Sequence, residues 1–445
     1  MNAFTDAAAQ PRQVTLPRSH CSQWRWPLHS RAMSMPHAST PTPKQWLAIA
    51  GLTLLTITMF WLTWRWWRHH RPITPLANAV TVAGVGPQLA ANSLADPFGV
   101  AADDDDNVYV SDGLGGRIYR VESGGRLTVV TEKLDMPSAL ALAPDGSLIV
   151  ANTGAHTVVR VNVKDGGVTT IAGQPNVSGR ADGPANSARF NAPVGVAVAN
   201  GKVFVADTYN DRICAIDEDG AVRTLAGGSE PGFRDGKEAL FDTPCGLAVM
   251  SDGTVLVADT GNQRIRSIAP DGTVTTLAGT GEYDLRDGVP LQAAFAEPTA
   301  LAWRRDGALA VADAGSSAVR LLTFGESAKV STIAGGYPFG LADGALTDAR
   351  LNRPTGLAFT SDDVLLFADA GNGFLRALTP ANAKLGRSAK PEEALLNPAE
   401  LRRRLPARWP YQPFDKPREI AGTFGEVRGE RRADDAGRFH NGLDI

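Results

Sequence analysis

Pro244-Cys245-Gly246-Leu247-Ala248-Val249 is followed by Asp252-Gly253, then by Val255-Leu256-Val257-Ala258-Asp259, then by Arg264-Ile265-Arg266, and then by Val274-Thr275-Thr276-Leu277-Ala278-Gly279. The runs are short, β-branched or aliphatic, and separated by turn residues. None has helical spacing, so the stretch reads as four strands. Sister stretches begin at Pro97, Pro137, Pro193, Pro298 and Pro354. The acid or amide closing the second run falls at Asp112, Asn152, Asp207, Asp259, Asp313 and Asp369, a period of 40 residues once and of 52 to 56 otherwise. A period of this size with four strands per unit predicts propeller blades.

The residue two places after each proline is small: Gly99, Ala139, Gly195, Gly246, Ala300 and Gly356. Innermost strands crowd around a central axis, where a larger side chain would clash. Asp145-Gly146, Asn200-Gly201, Asp252-Gly253 and Asp306-Gly307 predict two-residue hairpins. The sixth unit stops after Phe374-Leu375-Arg376-Ala377-Leu378, while Val80-Thr81-Val82-Ala83-Gly84 precedes the first unit and matches Thr169-Thr170-Ile171-Ala172-Gly173. The orphan strand should complete the last blade and remove an open edge. The predicted fold is all-β: a six-bladed β-propeller over residues 79–380, closed by an N-terminal strand.

Asp182-Gly183 with Phe190, Asp235-Gly236 with Phe241, Asp287-Gly288 with Phe295, and Asp343-Gly344 with Leu351 form a lead-in to four of the prolines, one that blades 1 and 2 lack. With the blade pattern, these residues make the chain resemble the NHL-repeat family, in the version found in bacterial proteins and in teneurins. The resemblance covers about two thirds of the chain and implies the fold. Propellers of this family bind proteins, RNA or small molecules, and a few are enzymes.

With 43% apolar and 20% charged residues and a net charge of −3, the chain has the makings of a large core and shows no basic face, which argues against nucleic acid as a partner. The arginines of the third strands (Arg117, Arg212, Arg264, Arg266, Arg320 and Arg376) alternate with acids and read as solvated or blade-bridging side chains. The recurrent acids Asp112, Asp207, Asp259, Asp313 and Asp369, with Asn152, end a strand before a turn, where such side chains bond backbone amides. Asp103 to Asp106 reads as a solvated turn. Cys21, Cys214 and Cys245 suggest no disulfide framework. An active site on the propeller would need metal ligands at the inner strand starts, and the residues after each proline (Phe98, Ser138, Val194, Cys245, Thr299 and Thr355) are poor ligands for a hard cation.

Residues 1–45 are polar and aperiodic and read as a disordered tail. Residues 46–64, Trp46 to Trp64, carry no charge and are flanked by Lys44 and Arg65, with several tryptophans at the ends. They predict one transmembrane helix, a single-pass anchor in the cytoplasmic membrane. Arg65, Arg68 and Arg71 after the span favour a cytoplasmic propeller by the positive-inside rule; the C-terminal residues argue for the opposite side.

Residues 381–410 read as a charged linker with one short helix, capped by Asn397 with Pro398 in its first turn. In residues 411–445, Phe424-Gly425-Glu426-Val427-Arg428 precedes Gly437-Arg438-Phe439-His440-Asn441-Gly442-Leu443-Asp444-Ile445. This order resembles the opening of the lysostaphin-like zinc metallopeptidases that cut peptidoglycan cross-links. The resemblance implies His440 and Asp444 as the first two zinc ligands, with the third ligand and a catalytic histidine supplied by a later His-x-His strand. A catalytic zinc takes three protein ligands and a water, so residues 411–445 are expected to be inactive by themselves. The expectation is a binding and positioning propeller for a cell-wall endopeptidase, with a protein or a cell-wall glycan or peptide as partner. The alternative is a binding scaffold without chemistry.

Overall fold

The computed structural model describes residues 42–84, 94–381 and 383. The uncharged stretch lies in a helix, Pro43–His70, whose apolar side chains stand open, Leu47 at 74% and Phe60 at 72% exposure. Among the described residues no helix is long and apolar enough to cross a membrane.

From Leu76 onward the chain folds into six antiparallel sheets, and five of them hold four strands in sequence order. In the sixth, the strand Leu76–Gly84 pairs with the last strand, Phe374–Pro380, through partners that include Val80 with Ala377 and Gly84 with Phe374. The ring is thus closed by the N-terminal strand. That strand begins three residues earlier than residue 79, because Leu76 and Asn78 find partners in Pro380 and Thr379.

The core is a set of layers between neighbouring blades. Ile149 and Val158 of blade 2 pack with Val205 and Ile216 of blade 3, and each of the other five seams has an equivalent cluster. The lead-in aromatics Phe190, Phe241 and Phe295 are wedged into these layers with no exposed surface, each contributing about 1.5–3 kcal/mol of apolar burial. Leu94 holds the same place, three residues before Pro97, and is buried in the seam between blades 6 and 1. Blade 1 therefore retains the wedge of the lead-in although it lacks the Asp-Gly.

Only one of the predicted two-residue hairpins has that form. Asn200 and Gly201 both take positive φ, and Ala199 pairs directly with Lys202. At Asp145, Asp252 and Asp306 the loop is three residues long. The aspartate oxygen accepts the N–H two residues on, from Ser147 (3.0 Å), Thr254 (2.9 Å) and Ala308 (3.1 Å). The glycine then takes the left-handed conformation that closes a type I turn with a bulge. Asp103 does the same for Asp105 and Asn107, and Asp106 reaches across to accept from the Ser361 N–H (3.1 Å) and hydroxyl (2.8 Å) of blade 6. The acidic run is therefore partly a bridge between blades rather than only a solvated turn.

Around the axis the blades approach at backbone distance. A Cβ on Gly246 would lie 2.6 Å from Ala300 Cα, and one on Gly99, Gly195 or Gly356 would collide with the next blade's carbonyl. Each seam there is tied by a hydroxyl. Thr153, Thr208 and Thr260 donate to the carbonyls of Pro193 (2.7 Å), Pro244 (2.8 Å) and Pro298 (2.7 Å). Blades 5 and 6 carry Ala314 and Ala370 at that position, and Thr299 and Thr355 instead reach Pro354 and Pro97 (both 3.3 Å). Ser111 closes the remaining seam through the Ser138 carbonyl (2.7 Å).

Candidate binding site at the axial mouth

The recurrent strand-end acids are buried inside ion-pair networks. Asp207, Asp259, Asp313 and Asp369 each accept a backbone N–H from the lead-in: from Asn191 (2.8 Å), Asp242 (2.9 Å), Ala296 (2.7 Å) and Asn352 (2.7 Å). The other oxygen of each accepts from an arginine of the third strand: Arg212 (2.7 Å), Arg266 (2.6 Å), Arg320 (3.0 Å) and Arg376 (2.7 Å). The same arginines pair on their far side with Asp182, Asp235, Asp287 and Asp343 of the lead-ins, at 2.5 to 2.8 Å. The reading of these four arginines as solvated is corrected: their side chains are 0–2% exposed, held where two carboxylates and backbone carbonyls offset the desolvation of the guanidinium. Each lead-in aspartate also accepts the outward N–H of a fourth-strand threonine, Thr224 (2.7 Å), Thr276 (3.1 Å) or Thr332 (2.8 Å), and in blade 6 that of Thr81 in the closing strand (2.8 Å). Blade 2 keeps only the backbone bond, the Asp135 N–H donating to Asn152 Oδ1 at 2.7 Å. It has no Asp-Gly lead-in, Asn152 for the acid, and Val159 where blades 4 to 6 place the arginine and blade 3 places Cys214.

Among the described residues the space at the axis is small. The space lined by Gly99, Gly195, Cys245, Gly246, Thr299 and Gly356 measures about 50 Å³, enough for a water or two and far below a ligand pocket. Among the described residues no group of three metal-ligating side chains comes together.

The chemistry gathers one residue earlier, in the ring formed by the residues that precede the six prolines. Blades 2, 3 and 4 contribute Met136, Ala192 and Thr243; blades 5, 6 and 1 contribute Glu297, Arg353 and Asp96. All but Asp96 take positive φ; Ala192, Thr243 and Glu297 are buried, and Met136, Arg353 and Asp96 are half-buried. Arg353 pairs with the buried Glu297 at 3.4 Å, and its N–H donates to Ser317 Oγ of blade 5 at 3.2 Å. Two exposed tyrosines border this sector. Tyr337 donates to the Gly315 carbonyl at 3.2 Å, and the Tyr283 hydroxyl abuts the same Gly315. Burial first, then Glu297, raises the Tyr283 phenol above its ordinary value. Phe339 adds a third exposed ring from the same lead-in as Tyr337. The post-proline residues led sequence reasoning one position too far: Ser138, Thr299 and Thr355 spend their hydroxyls on carbonyls across the seams, and no charge is among the six.

Asp96 is half-buried, and its carboxyl is raised to about 7, by burial first and then by the Asp112 charge, against a lowering by Arg353. An unfolded carboxyl titrates near 3.9, so between about pH 4 and 7 the native state holds a proton that unfolding releases. Stability from this group is therefore greatest at the acid end of the window and falls as pH rises to 7. Asp96→Asn is expected to remove that slope. Chemical denaturation at pH 4.5 and 7.5 should show the variant gaining on the wild type by on the order of 1–2 kcal/mol, after discount for solvent screening. Parallel pH profiles would refute the assignment.

His440 and Asp444 lie outside the described residues, as do residues 1–41 and the 384–445 region.

Blade order and closing strand together define a six-bladed β-propeller. The NHL repeat model matches residues 190–216 and 241–266, which run from the Phe wedge to the third strand in blades 3 and 4. Over 270 residues the chain is 32% identical to NHL repeat-containing protein 2 of Bos taurus, which covers 52% of this chain and 37% of that protein. Teneurin-3 of Danio rerio is more distant, at 24% identity over 65% of this chain and 12% of its own length. The chain thus spans little more than a third of the length of the first of these relatives. A protein of unknown function from Bacteroides thetaiotaomicron superposes with a TM-score of 0.55 at 18% identity, over 68% of this chain and 75% of that one, a likeness of fold.

Proposed function

We propose that this chain is a membrane-tethered binding module whose ligand seats on the axial mouth at blades 5, 6 and 1, and which positions a cell-wall zinc endopeptidase domain opening at His440. The observation that carries the binding site is the asymmetry of the pre-proline ring: three adjacent blades place Glu297, Arg353 and Asp96 beside the exposed Tyr283 and Tyr337, whereas the other three place uncharged side chains there. Aromatic faces beside a few fixed polar groups suit a cell-wall glycan or peptide. The tether is supported by the uncharged stretch and its open apolar side chains. The propeller would then lie outside the cytoplasm, next to its substrate. Zinc would be held by His440 and Asp444, together with a third ligand that residues 411–445 do not supply; bound there, it would supply a polarised water.

Co-sedimentation with purified peptidoglycan tests the binding role. The wild-type chain should be retained, and Tyr337→Ala combined with Arg353→Ala should lower the affinity about tenfold, the cost of truncating one or two central contacts. Retention unchanged by the double variant would sink the proposed site. A wild-type chain that ignores peptidoglycan but captures a soluble envelope protein through the same residues would establish the scaffold reading instead.

A further inference from the structure

In blades 3 to 6 the outer edge of the sheet is covered by the lead-in. Gly183 exchanges both backbone hydrogen bonds with Val222 (3.0 and 2.8 Å), and Gly236 and Gly288 do the same with Val274 and Val330. In blade 6 the strand Gly344–Ala345 lies against Asn78 and Ala79 of the closing strand. Asp182 completes the cover in blade 3 by accepting the Thr224 N–H. Blade 2 has only Glu132 to Met136 between the last strand of blade 1 and Pro137, too few residues to descend its outer edge. Its outer strand, Val168–Ala172, pairs inward with Thr157–Val161 in the register of its sisters: Val168 opposite Val161 and Thr170 opposite Val159, as Val222 lies opposite Ile216 and Thr224 opposite Cys214. By that equivalence the amides of Val168 and Thr170 point outward. Thr169 and Thr170 are exposed, and among the described residues no segment covers them. The strand also lacks the charges and prolines that usually protect a free edge.

We infer that the outer edge of blade 2 is a docking site for a partner polypeptide segment in which a hydrogen-bond acceptor precedes a glycine, as Asp182 precedes Gly183, and which bridges to the sheet edge through that glycine. The four sister blades display the occupant's geometry. A glycine at positive φ, as at Gly183 (128°), Gly236 (97°) and Gly288 (145°), exchanges two backbone hydrogen bonds with Val168, and an acceptor on the preceding residue takes the Thr170 N–H. Main-chain pairing of this kind supplies affinity, and the positive φ restricts the paired position to glycine. The absence of a buried arginine beside the edge, where Val159 stands, means that the acceptor need not be a carboxylate.

The probe is a fluorescent synthetic peptide copying residues 179–190, the blade 3 lead-in, added to the full-length chain. Saturable binding at one site is expected, with slowed amide exchange at Val168 and Thr170. Methylating the peptide's Gly183 nitrogen, which removes one of the two paired bonds, should weaken binding at least about tenfold. Thr170→Pro should do the same, because it removes an N–H that the fold itself does not use; if that variant does not fold, the methylated peptide decides. No binding, binding indifferent to methylation, or protection confined to other strands would overturn the inference.

Discussion

Asp259→Ala is expected to destabilise the propeller by about 3–5 kcal/mol, the cost of leaving a buried partner charge uncompensated. Arg266 is fully buried, and Asp259 supplies its 2.6 Å contact from the core side. The remaining carboxylate, Asp235, holds the guanidinium at 2.5 Å but is 42% exposed and screened. Removing Asp259 also frees the Asp242 N–H and the Asn262 amide that it accepts at 2.9 Å each. The measurement is the denaturation midpoint of the variant against Asp259→Ala combined with Arg266→Leu. If the orphaned charge is the cause, the double variant will recover a large part of the loss; equal destabilisation in both would assign the effect to the lost amide bonds.

A chain lacking Leu76–Gly84 is expected to lose cooperative folding altogether. That strand supplies the outer edge of blade 6, buries Ala79, Val82 and Ala83, and gives Asp343 its Thr81 partners at 2.8 and 3.2 Å. Without it the strand Phe374–Pro380 becomes an open, apolar edge, a template for aggregation, and the seam between blades 6 and 1 is exposed. Size-exclusion profiles and calorimetry of the deleted and full chains decide the point. A monomeric deletion variant with a single sharp transition would show that the ring tolerates an incomplete blade.

The blades, their number and the closing strand were legible because strand periodicity and turn residues are local signals, repeated six times. Burial of Arg212, Arg266, Arg320 and Arg376 was not, since an arginine opposite an acid in a strand is ordinarily solvated, and the second carboxylate arrives from about thirty residues upstream. A signal was present all the same. The arginine and the lead-in Asp-Gly occur together in blades 3 to 6 and are both missing from blade 2. The mouth went unread because the search for ligands began after each proline. Ser138, Thr299 and Thr355 spend their hydroxyls in the seams, and the charged residues of blades 5, 6 and 1 stand one position before the proline. The hairpin loops were misjudged by one residue because Asp-Gly serves both loop types, and the choice rests on the side-chain hydrogen bond of the aspartate.

The closing strand enters at Leu76 directly opposite Pro380, where the last strand leaves. Whatever flanks the propeller on either side is therefore joined to the same corner of the same blade. A load applied between the two flanks would pull those strands apart from one end, breaking their bonds singly instead of shearing them together. Blade 6 is thus the weak link under tension, and the five blades made from continuous chain would outlast it.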